Sequence, residues 1–82
     1  MITVRFFAML KGLAKTEVKE YDVSSPITVE ELKSFIKRDF PGLSTLIDSR
    51  SLLIAVNQEF ARNDTIVTDG DEVGFLPPFS GG

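Results

Sequence analysis

The chain has 82 residues, 43% of them hydrophobic and 26% charged, with a net charge of −3. That length allows one small domain, residues 1–82, with a core near the lower limit of independent folding. Cysteine and histidine are both absent. This excludes disulfides, thiolate catalysis, zinc–thiolate and iron–sulfur centres, and removes the usual general base at neutral pH.

The side-chain inventory is therefore poor for catalysis, and the acidic balance argues against a nucleic-acid partner. No apolar run approaches the roughly 20 residues that cross a bilayer. The opening Met1-Ile2-Thr3-Val4-Arg5 carries no basic region ahead of an apolar one, so no membrane contact and a cytoplasmic location are expected. The charge is unevenly spread. All nine Lys and Arg lie between Arg5 and Arg62, and beyond them come Asp64, Asp69, Asp71 and Glu72. That acidic run suits either a solvated face or an end that docks into a basic pocket.

Residues 2–9 alternate, with Ile2, Val4, Phe6 and Ala8 on one face and Thr3, Arg5, Phe7 and Met9 on the other, which predicts a strand. The uniformly apolar even set should face the core, leaving Phe7 beside Arg5 on the far side. Residues 10–16 read as a loop or short helical turn. Residues 17–23 predict a second strand forming a hairpin with the first, and Val18, out of phase with Tyr21 and Val23, suggests a bulge.

Thr28-Val29-Glu30-Glu31 is a capping box, with Ile27 and Leu32 at the positions of a hydrophobic staple. Leu32, Phe35, Ile36 and Phe40 share one face of the helix that follows, with Glu30, Lys33, Lys37 and Arg38 turned away. Pro41-Gly42 ends it. Burying those four side chains is worth roughly 6–12 kcal/mol before ordering costs, so this helix should form the lid of the core. Residues 42–51 read as a connector in which Leu43, Leu46 and Ile47 give a short apolar helical face. Residues 52–56 are almost wholly apolar, as in a covered strand. Asn57-Gln58 predicts a tight turn into a short strand at Glu59-Phe60, and Ile66 is the expected inward anchor of the next loop. Residues 71–76 form the last strand, with Val73 and Phe75 on one face and Gly74 and Leu76 on the other.

One long helix on a strand-rich chain should cross one face of a single sheet. The first and last strands, with the strongest alternation, are candidates for central neighbours. This predicts an α+β, ubiquitin-like β-grasp fold with a mixed sheet of about five strands. Parity then puts Phe7 and Leu76 together on the non-core side, with Phe60 as a third member of an apolar patch. Residues 77–82 project from the last strand as a tail, Pro77-Pro78-Phe79-Ser80-Gly81-Gly82. Two prolines hold the backbone extended, and glycines lacking Cβ let a cleft close around the terminal carboxylate. Gly-rich termini also arise without function.

Phe6-Phe7-Ala8, Ile27-Thr28-Val29-Glu30-Glu31-Leu32, Ala55-Val56-Asn57-Gln58, Thr68-Asp69-Gly70-Asp71-Glu72-Val73 and the ending Pro77-Pro78-Phe79-Ser80-Gly81-Gly82 together resemble the small subunits of molybdopterin synthases, ubiquitin-like sulfur carriers. The resemblance covers nearly the whole chain, and the prolines before Gly-Gly are its most selective feature. It implies that Gly82 is adenylated by an E1-like adenylyltransferase and that a sulfur donor protein then replaces AMP, giving a thiocarboxylate (1-thioglycine). The tail would enter the large synthase subunit and deliver sulfur to precursor Z, within a heterotetramer of two small and two large subunits. Gly81 would be the residue needing close approach, and Phe7, Phe60 and Leu76 would dock on the large subunit alongside Pro77, Pro78, Phe79 and Ser80. Catalytic side chains would belong to the large subunit, and this chain would bind no cofactor or metal. A thiamine-pathway sulfur carrier, a protein modifier joined through Gly82 to lysines, and an interaction module with an unused tail are the other readings.

Overall fold

The computed structural model describes residues 1–49 and 51–77. Strand β1 (Ile2–Phe6) leads to helix α1 (Met9–Ala14), β2 (Val18–Tyr21), β3 (Ile27–Thr28) and helix α2 (Val29–Asp39). A 3-10 turn (Pro41–Leu43), helix α3 (Ser44–Ile47), β4 (Leu53–Val56), β5 (Glu59–Phe60), β6 (Ile66–Val67) and β7 (Glu72–Leu76) follow. The main sheet has the order β2-β1-β7-β4-β5, and β3 pairs with β6 in a separate two-stranded ladder. β1 and β7 run parallel at its centre, with Val4 opposite Val73 and Phe6 opposite Phe75. β2, β4 and β5 add antiparallel strands outside them. This is the mixed β-grasp sheet that the alternation predicts, with first and last strands adjacent.

The core lies between the sheet and α2. Ile2, Val4 and Phe6 from β1 and Val73 and Phe75 from β7 meet Val29, Leu32 and Ile36 of α2, closed by Leu43 and Ile47 from the connector. Phe6 sits edge-on to two aromatics, 5.2 Å from Phe40 and 6.1 Å from Phe75 between ring centroids, an arrangement that adds to the area it buries. The start of α2 has the capping box: the Thr28 hydroxyl accepts from the Glu31 amide at 3.1 Å, and the Thr28 amide donates to the Glu31 carboxylate at 3.0 Å. Two more free amides of that turn, on Val29 and Glu30, donate to the carbonyls of Thr65 and Asn63. The helix is thereby fastened to the loop beneath it.

Three expectations are corrected. β1 ends at Phe6, and Ala8 is exposed at φ 53°, where the chain turns into α1, so Ala8 does not join the even-numbered core set. The structure seats Leu10 and Ala14 of α1 in the core instead. β2 has no bulge across its pairing with β1, and Val18 simply faces outward opposite Arg5. Ile66 is 56% exposed, while Val67 is fully buried. The β3–β6 register pairs Ile66 with Thr28 and Val67 with Ile27, and pleat parity sends the second residue, not the first, inward.

Candidate functional site

On the outer face of the sheet, the register builds an apolar surface at the end where β7 finishes. Arg5, Gly74, Ala55 and Phe60 are successive partners across β1, β7, β4 and β5, and Leu53 stands opposite Leu76. Phe7 follows the last residue of β1, and its amide donates to the Phe75 carbonyl at 3.1 Å, so the parallel ladder runs one step past the strand. The ring turns outward and is 44% exposed; Phe60 is 75% exposed. Leu76 and Pro77 are half-buried.

Gly74 allows this packing. A Cβ at that position would come within 3.0 Å of the Phe7 ring and 3.7 Å of Leu76, so a bare backbone lets the ring lie against the sheet. Around it opens a shallow cavity of about 250 Å³, lined by Phe7, Gly74, Leu76, Ala55 and Phe60, with Gln58 and Glu72 at its polar side.

Glu72 and the turn that precedes it are held by hydrogen bonds and ion pairs. Arg5 Nε donates to Glu72 at 2.8 Å. The Asp71 carboxylate accepts from the Thr68 amide at 2.8 Å and from Asn57 Nδ2 at 3.0 Å. These bonds, that of the Thr68 backbone foremost, hold the Asp71 carboxyl below its ordinary range. Asp69 meets the Met1 ammonium. All three acids around the last turn thus have partners within the chain, so their charge is not that of a wholly free solvated face.

Phe7 and Leu76, placed by parity, and Phe60, expected from the neighbouring short strand, line one cavity. Pro77 follows directly from β7, placing the root of the tail at the border of the patch. Pro78, Phe79, Ser80, Gly81 and Gly82 lie outside the described residues. Ala55, Gln58, Glu72 and Gly74 also line the cavity. Gly74 shares Leu76's face by simple alternation, whereas Ala55 sits in an all-apolar run with no visible phase. Among the described residues, no group of three or more acidic side chains stands close enough to hold a metal, and no helix is long and apolar enough to cross a membrane. The face can bury against a partner, and the one ionisable side chain in its lining, Glu72, is paired with Arg5.

The ThiS family matches residues 4–82. The chain belongs to that family. The molybdopterin synthase sulfur carrier subunit of Escherichia coli is 39% identical over the full length of both chains. The corresponding subunit of Chlamydomonas reinhardtii is 30% identical, over 99% of this chain and 98% of its own. Among solved structures, SAMP1 from Haloferax volcanii superposes with a TM-score of 0.88 at 25% identity, covering 99% of this chain and 98% of that one. A molybdopterin-converting factor complex of subunits 1 and 2 from Helicobacter pylori has a chain that superposes at 0.67 with 27% identity, covering 99% and 97%. The resemblance to molybdopterin synthase small subunits is borne out over the whole chain.

Proposed function

We propose that the chain is a sulfur carrier for molybdenum cofactor biosynthesis, working through its C-terminal Gly82. An E1-like enzyme transfers AMP from ATP to the Gly82 carboxylate with release of pyrophosphate, and a sulfur donor then displaces AMP to leave a thiocarboxylate. The carrier docks on the large synthase subunit through Phe7, Phe60 and Leu76, and residues 77–82 reach the site where precursor Z receives sulfur. Two carriers and two large subunits make the assembly. The observation that carries this reading is the exposed apolar face at the root of the tail. A patch of this kind marks an interface, and it stands where a partner gripping it would also take in the tail. The naming of curated relatives as molybdopterin synthase sulfur carrier subunits supports the same assignment.

A second reading has its own support, since the small archaeal modifier protein SAMP1 from Methanosarcina acetivorans superposes on this chain with a TM-score of 0.85 at 27% identity. Protein modification would use the same activated carboxylate but attach it to lysines. Mixing the thiocarboxylated chain with the large subunit and precursor Z separates the two. The first reading predicts molybdopterin formation with return of the free carboxylate. Isopeptide-linked adducts without molybdopterin would favour the modifier.

A further inference from the structure

Asn57 joins the turn between β4 and β5, whose Gln58 lines the apolar face, to the turn that leads into β7. Its backbone is left-handed at φ 51° and Gln58 follows at φ 71°, the geometry of a two-residue hairpin turn, which asparagine tolerates. From there the side chain reaches the start of β7. Oδ1 accepts from the Glu72 amide at 3.0 Å and Nδ2 donates to Asp71 at 3.0 Å, while the Asn57 amide donates to the Glu72 carbonyl at 2.7 Å. Asp71 is itself fixed by the Thr68 amide and hydroxyl. An ionised carboxylate only accepts and a backbone amide only donates, so the Asn57 side chain has a single satisfied orientation.

Phe60 stands at the far side of that turn. β5 has two residues, pairs with β4 at the edge of the sheet, and carries a ring that is 75% exposed. A ring so exposed has little side-chain packing to hold it, so its place follows from the backbone that carries it. We propose that Asn57 is a positioning residue for the docking face, tying the β4–β5 turn to the start of β7 and so setting where Phe60 stands relative to Phe7 and Leu76. The inference rests on the docking reading of that face given above.

Asn57→Asp and Asp71→Asn, made singly and together, test it by equilibrium binding to the large synthase subunit. Asn57→Asp sets two carboxylates against each other, and Asp71→Asn sets two amide donors against each other. The double exchange again faces one donor with one acceptor. Each single substitution should weaken binding about fivefold, and the exchange should recover to within about twofold of the wild type, as coupled neighbours do. In a Phe60→Ala background the single substitutions should have little further effect on affinity, although a merely structural role would lower the thermal midpoint equally in both backgrounds. An undiminished Asn57→Asp effect on binding without the Phe60 ring, or an exchange as weak as its two singles combined, overturns the proposal. If Phe7→Ala and Phe60→Ala leave affinity unchanged, the docking reading fails and takes the inference with it. If those two weaken binding and Asn57→Asp does not, the positioning role alone is wrong.

Discussion

Phe6 and Phe7 are neighbours in the chain with opposite work. Phe6 is 2% exposed between Phe40 and Phe75, and Phe7 is 44% exposed over Gly74. Phe6→Ala or Phe75→Ala should cost about 3–5 kcal/mol of folding stability. Phe7→Ala and Leu76→Ala should move the free domain's stability by under about 1 kcal/mol. The same two changes should weaken the complex with the large subunit at least about tenfold, the scale of a central interface anchor. Denaturant unfolding and equilibrium binding on the four variants check this. A Phe7→Ala protein as unstable as Phe6→Ala would mean that Phe7 belongs to the core. This much was legible in the sequence, because alternation over residues 2–6 separates the two faces unaided. Asn57 was legible only as a turn former. Its hold on Asp71 and Glu72 spans 14 and 15 residues, and no local pattern encodes it.

At the scale of elements, the capping box and apolar face of α2 were readable because both are local rules repeated within a few residues. β6 was not, since two residues are too few for a period to fix its phase, and pairing with β3 decided that Val67 goes inward. A further link joins α2 to the edge of the sheet. The Tyr21 hydroxyl donates to Asp39 at 2.7 Å and Arg38 Nε donates to it at 3.0 Å. The Arg38 guanidinium, and after it the Tyr21 hydroxyl, hold the Asp39 carboxyl down at about 2, against an ordinary 3.8. A carboxyl whose pKa is lower in the folded state contributes stability that is present above its unfolded pKa and lost as pH falls through the folded one. The difference in thermal midpoint between wild type and Asp39→Asn should therefore be full at neutral pH, shrink below pH 3.8 and close near pH 2. A difference that stays constant through that window would show that Asp39 is not linked to folding.

Across the whole molecule, placing the first and last strands side by side determines what the chain can do. β7 is held on both flanks, by β1 and β4, so Pro77 leaves from a fixed point beside Phe7 and Leu76. Strong alternation at both ends of the sequence suggested that adjacency, but the register that aligns Gly74 with both Arg5 and Ala55 is a product of the assembled sheet. On the proposed reading, this arrangement offers a partner an apolar face and leaves the chemistry to the main-chain carboxylate of Gly82, which suits a chain with neither histidine nor cysteine. Intact-mass spectrometry is the most direct test of that claim. The wild-type chain and a variant lacking Gly82 would each be incubated with an activating enzyme, ATP and a sulfur donor. The account predicts exchange of one oxygen for sulfur at Gly82 in the wild type and no exchange in the variant. A wild-type carboxylate that stays unmodified beside an enzyme competent on a known carrier would contradict it.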